Sequence, residues 1–285
     1  MSLDPRRNAY RADLADERLK GHVEAARFIK GTAGSISAPV SSLHRSASYD
    51  SGVDTQALSG ESILIFEQKD DWAWIQLTTD NYVGYVPRSD ISTAISDITH
   101  KVHALRTFVY PDASLKTPTD RYLSMGSLVS VTGHEGDYSA LSNGGYVYTR
   151  HLAAIDTHAA DFVTVAESLL NTPYLWGGKS SLGIDCSGLV QLSLAQAGIQ
   201  SPRDSSMQEE ELGSEITIPD NLYGLKRGDF VFWKGHVGIM INPRRMIHAN
   251  GWTMSVAVEE LAAAALRIRE SGGGPITRIR RLKDY

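Results

Sequence analysis

The sequence predicts an α+β chain in which two small β-barrels precede a domain whose helices lead into strands. Three observations carry that reading. Between residues 35 and 155, short β-type runs follow one another closely, separated by polar turns. The pattern of the first half of that stretch recurs in the second. After Asp156 come an amphipathic segment, a second helical run, and then three strand-like runs.

Residues 10–30 read as a helix. Leu19, Val23 and Ala26 share a stripe, Asp16, Glu17, Arg18 and Lys20 surround it, and Gly31 and Gly34 follow. Residues 1–34 are therefore expected to form a helical arm lying across another domain, or a frayed tail. A first barrel is expected over 35–95. Its runs at 63–66, 72–77 and 82–86 are separated by Lys69-Asp70-Asp71 and Thr79-Asp80-Asn81. A second barrel is expected over 96–155. There Gly126-Ser127-Leu128-Val129 repeats Gly60-Glu61-Ser62-Ile63, and Asp137-Tyr138 repeats Asp71-Trp72. Gly145-Tyr146-Val147-Tyr148 likewise repeats the run at 82–86, so one module was duplicated. The last domain, 156–285, opens with an amphipathic helix at 161–170. A second helix starts at Cys186, with Leu189, Val190 and Leu192 on one face and Gly198 stopping it. After a polar stretch come strand-like runs at 229–233, 236–241 and 245–249.

Of the 285 residues 42% are hydrophobic and 21% charged, values ordinary for a soluble globular protein. A net charge of −5 argues against nucleic acid as a partner. The single cysteine excludes an internal disulfide. Basic residues near Asp4-Pro5-Arg6-Arg7 are not followed by the apolar core of a secretory signal. No run of about 18 apolar residues offers a membrane span. The expectation is a soluble, cytoplasmic protein without membrane contact.

That cysteine, Cys186, sits where unpaired helix N–H groups favour a thiolate, which would lower its pKa below the free value of about 8.5. The alternative is a small buried hydrophobe. A nucleophilic thiol needs a base and a group to orient that base. Of nine histidines, His236 and His248 lie on strand-like runs in the last domain. Asn242-Pro243-Arg244 links the two runs. With a three-residue loop residue 240 faces 246, and alternation puts both histidines on one face; a two-residue loop puts them on opposite faces. His236 would then exchange a proton with Cys186 while His248 holds its second ring nitrogen. One cysteine, two histidines and Asp185 could also ligate zinc, but they lack the close spacing of zinc motifs, so no metal or cofactor is expected.

Five blocks occur in order: Tyr174-Leu175-Trp176-Gly177-Gly178, Asp185-Cys186-Ser187-Gly188-Leu189-Val190, Arg227-Gly228-Asp229-Phe230, Gly235-His236-Val237-Gly238 and Ile247-His248-Ala249. Together they resemble the NlpC-type family of papain-like cysteine peptidases, which cut peptidoglycan peptides, and the two repeated modules resemble bacterial SH3-like domains. The resemblance implies a papain-like fold, with Cys186 as nucleophile, His236 as general base and His248 as the orienting residue. It also implies a γ-D-glutamyl bond as the one cleaved, with Tyr174 lining the site. Barrels joined to such a peptidase resemble a narrower branch that releases L-Ala-γ-D-Glu from the diamino acid of free murein peptides. In that branch the first barrel closes one end of the groove and an unblocked amine is required. The resemblance points to Asp185, Asp54 and Tyr82 for the amine, with Tyr85 the alternative to Tyr82. Asp54 stands where the branch carries a longer glutamate. Ser187 and the segment Arg203-Asp204-Ser205-Ser206 would hold the D-Glu carboxylate, Ser205 foremost because Ser206 and Glu209 have capping-box spacing. The expected function is a murein-peptide endopeptidase of dipeptidyl-peptidase type, acting in cell-wall recycling. The competing functions are a lytic hydrolase on intact wall and a non-catalytic wall-peptide binder.

Overall fold

The computed structural model describes residues 3–94, 96–218 and 222–283. The chain divides into two compact units, Met1–Thr157 and His158–Tyr285.

In the first unit, seven strands form one sheet. Their order across the sheet is Val53–Leu58, Val40–His44, Val83–Pro87, Trp72–Leu77, Ser62–Lys69, Thr32–Ile36 and Ile91–Ser92. Alternation along Trp72–Leu77 sends Ala73, Ile75 and Leu77 into a core with Ile36, Leu43, Ile63 and Val86. Trp72, Trp74 and Gln76 take the opposite face. The repeat forms a second, smaller barrel around Val102, Val109, Leu123, Val129, Leu141 and Val147. The duplication survives in the pairing: Trp72 faces Pro87 in the first copy, and Tyr138 faces Tyr148 in the second. Each copy then turns through a short 3-10 helix, Arg88–Asp90 or Thr149–His151.

The expected helix over 10–30 is not formed, and residues 1–34 are not a separate arm. Ala15–Asp16 pairs in parallel with Phe28–Ile29, with a 3-10 turn at Glu17–Leu19 between them. Gly21, at φ +88°, interrupts the stripe that suggested a helix. Residues 32–36 are themselves a strand of the first barrel. The segment before them packs on that barrel's outer face, where Ala9 and Leu14 bury Phe66 and Trp74. Arg11 stacks 4.3 Å from the Trp74 ring centre. The backbone is satisfied by the barrel: the Val83 N–H donates to the Arg6 carbonyl at 2.8 Å, and Gln76 Nε2 donates to the Arg7 carbonyl at 2.9 Å. Tertiary burial here overrides a weak helical preference.

In the second unit, a six-stranded antiparallel sheet runs in the order Ser214–Ile216, Arg278–Arg281, Phe230–Trp233, His236–Met240, Arg245–Asn250 and Ser255–Glu260. Among the described residues four helices accompany it: α1 (Phe162–Ser168), α2 (Cys186–Gln196), α3 (Ser205–Glu211) and α4 (Leu261–Glu270). α2 is buried almost all round, and of its residues only Ala195 is exposed. It packs on the His236–Met240 and Arg245–Asn250 strands. No helix among the described residues is long and apolar enough to cross a membrane.

Candidate active site

Cys186 is the first residue of α2, and Asp185 is its N-cap. The Asp185 carboxylate accepts the Gly188 N–H at 2.7 Å, which starts the helix, and the Gly177 N–H at 2.9 Å, which ties down the preceding loop. Gly188 is required by space: a Cβ there would lie 2.3 Å from the Gly178 carbonyl oxygen. Arg203, 1% exposed, donates to both Asp185 oxygens, at 3.0 and 2.7 Å, and to Ser187 Oγ at 2.8 Å. Asp185 and Ser187 are thus both engaged in anchoring the helix start.

The Cys186 sulfur lies against the sheet, where the backbone N–H groups of Val237 and Ser187 point at it. Its pKa is pushed up to about 12, first by burial and then by the Asp185 charge; those N–H groups and Arg203 pull the other way without prevailing. The expected lowering by the helix start is therefore reversed, because desolvation of a largely buried sulfur outweighs a partial charge.

The loop between the histidine strands has three residues. Met240 faces Met246, and the Ile241 N–H closes the turn on the Arg245 carbonyl. Both histidines therefore project from one face. His236 Nε2 lies 2.8 Å from His248 Nδ1. Burial, then His248 and Arg267, push the His236 pKa down to about 3. Both shifts favour the uncharged form at neutral pH, a thiol at Cys186 and a neutral imidazole at His236.

Tyr174, bridged to Ile184 just ahead of the helix, has its phenol pKa pushed up to about 12 by burial, then by Cys186 and Asp185. It is a neutral hydrogen-bond donor beside the sulfur. Ser205 opens α3, two residues beyond Arg203. The capping box at Ser206 is not formed, because α3 starts one residue before it with Asp204 at the N-cap. The two first-unit candidates have partners within their own unit. Asp54 accepts from Arg45 Nε at 2.7 Å, and Tyr82 is buried in the first barrel's core.

One residue escaped the sequence reading. His248 Nε2 lies 2.7 Å from Glu259 Oε2, and Arg267 Nη2 lies 2.5 Å from that same oxygen. Glu259 faces Met246 across the hairpin, diagonal to His248 on the same side of the sheet. Only the register of that hairpin could have revealed it. Among the described residues no cluster of three or more His, Cys, Asp or Glu side chains is arranged to hold a metal.

Both units of the chain are similar to known proteins. Residues 171–268 match the NlpC/P60 family, and residues 43–91 match the bacterial dipeptidyl-peptidase Sh3 domain. The chain is 29% identical to dipeptidyl-peptidase 6 of Lysinibacillus sphaericus, over 68% of this chain and 79% of that protein. It is 26% identical to the gamma-D-glutamyl-L-lysine dipeptidyl-peptidase of Bacillus cereus, over 72% and 70%. A crystal structure of an NlpC/P60 family protein from Bacillus cereus superposes with a TM-score of 0.71, at 20% identity, over 87% of this chain and 99% of that one. At that identity the superposition speaks for the fold.

Proposed function

We propose that this chain, a cysteine peptidase with an NlpC/P60 domain behind an SH3-type domain, hydrolyses the γ-D-glutamyl–diamino acid bond of free murein peptides. The observation that carries the reading is the meeting of Cys186, at a helix start, with the strand bearing His236, backed by His248. The relatives' printed activity, release at a γ-D-glutamyl-L-lysine bond, supports the substrate class. In this reading the Cys186 proton passes to His236 as the sulfur attacks the γ-carbonyl carbon. The tetrahedral oxyanion takes hydrogen bonds from the Cys186 N–H and the Tyr174 hydroxyl. Collapse expels the amine of the diamino acid, which receives the proton from His236, and leaves a thioester. Water, deprotonated by His236, then frees L-Ala-γ-D-Glu and restores the thiol.

Ser187 and Ser205 are assigned to the D-Glu carboxylate, and Asp185 to the substrate amine. Amine recognition would confine the enzyme to free peptides, and so to cytoplasmic recycling rather than attack on the intact wall. The test uses L-Ala-γ-D-Glu-L-Lys and its N-acetylated form. Wild type is expected to release L-Ala-γ-D-Glu from the free peptide and to act far more slowly on the blocked one. Cys186→Ala, folded by circular dichroism, is expected to release none. Undiminished turnover by that variant overturns the peptidase assignment, and equal rates on the two peptides overturn amine recognition.

A further inference from the structure

We propose that Glu259 sets the proton positions of the His236–His248 pair, with Arg267 holding its carboxylate in place. This rests on the reading of Cys186 and His236 as nucleophile and base. A carboxylate only accepts hydrogen bonds, so the 2.7 Å contact requires the proton of neutral His248 to sit on Nε2. Its Nδ1 is then bare, and across the 2.8 Å contact it accepts from His236. The proton of neutral His236 must therefore sit on its own Nε2. That leaves Nδ1 of His236 as the bare nitrogen, the one able to receive a proton from a thiol.

Without an obligate acceptor at position 259 the chain of bonds runs equally well in reverse. His248 could carry its proton on Nδ1 and donate to a bare His236 Nε2. The His236 proton would then occupy Nδ1, and the imidazole would have no site for the proton of Cys186. The carboxylate resolves this two-fold ambiguity in one direction. Arg267, in the last turn of α4, restricts how that carboxylate can turn, because its Nη2 binds the same oxygen at 2.5 Å. The Arg267 guanidinium is in turn stacked 5.3 Å from the ring centre of Trp252. When His236 takes up a proton during attack, the negative charge at the far end of the relay also favours the cation. Glu259 is a positioning residue: it reaches the reacting atoms only through His248.

The readout is the tautomer itself, by nitrogen-15 NMR of histidine-labelled full-length protein, with His236 and His248 assigned from single substitutions. The spectra are recorded in the Cys186→Ala background, so they report proton positions whether or not the enzyme turns over the peptide. Both rings are expected to carry their proton on Nε2. Glu259→Met is expected to bring Nδ1–H signal to His236. In the protein that keeps Cys186, it is expected to lower kcat at least about 10-fold with KM nearly unchanged, since a wrong tautomer harms the chemical step rather than binding. Glu259→Gln keeps an acceptor oxygen and the Arg267 contact, and is expected to fall between wild type and Glu259→Met in both measurements. A folded Glu259→Gln or Glu259→Met protein with wild-type tautomers and wild-type kcat overturns the assignment. Turnover that survives Cys186→Ala overturns the peptidase reading instead, so the two failures are distinct.

Discussion

At Cys186 two opposing influences act on one atom, and burial prevails. The helix start and the backbone N–H groups favour a thiolate, but a sulfur enclosed beside Asp185 stays protonated with a pKa near 12. Because the shift is upward, the thiol form holds across the neutral range and ionises only in strong alkali. The wild-type protein minus Cys186→Ala is therefore expected to show no thiolate absorbance near 240 nm at pH 7, and alkylation by iodoacetamide is expected to be slow at pH 7 and to accelerate above pH 9. A thiolate signal at pH 7 would restore the resting ion pair. The neutral pair assigns proton transfer to the moment of attack, which is why the tautomer of His236 matters. That His236 and His248 could share one face was legible in the sequence, conditional on a three-residue turn, and that turn is the one formed. The ionisation state was not, because it depends on what the rest of the chain packs around the sulfur.

The start of α2 is held by a compact ionic cluster. Arg203, among the largest fully buried side chains, spans Asp185, Ser187 and the Gly178 carbonyl. Removing one member of a buried pair leaves the other charge uncompensated, at a cost of about 3–5 kcal/mol. Arg203→Met, similar in length and apolar, is thus expected to lower the unfolding free energy of the second unit by about 3 kcal/mol. It is also expected to release Ser187 and loosen the geometry at Cys186. Urea denaturation followed by tryptophan fluorescence measures this, and an unchanged midpoint would mean the cluster contributes nothing net. The motif Asp185-Cys186-Ser187-Gly188 announced a helix start, and the structure supplies the reason for each position: cap, thiol, arginine partner and close approach to Gly178. Arg203 was placed in the sequence among carboxylate-binding residues, and its burial against Asp185 was not foreseen. Glu259 was invisible for a related reason, since a diagonal cross-strand contact depends on a register that no local pattern encodes.

Across the whole chain, the order of modules was legible because repetition is a sequence property. The pairing of Trp72 with Pro87 and of Tyr138 with Tyr148 is the structural trace of the aligned blocks. The first thirty residues were misread because three apolar residues at helical spacing describe a local preference, while the segment's conformation is set by the barrel it covers. A single substitution separates the two descriptions. Leu14 is 1% exposed and packs with Ala9, Phe66 and Trp74. Alanine has the stronger helix propensity, so in a helical arm Leu14→Ala would be neutral or slightly stabilising. In the docked segment it removes a buried leucine and is expected to cost the first unit about 2–5 kcal/mol. The same substitution is expected to uncover Trp74, shifting its fluorescence to longer wavelength before global unfolding. Calorimetric melting of wild type and Leu14→Ala decides between them: a lowered transition supports the docked segment, and an unchanged or raised one returns the region to a helix.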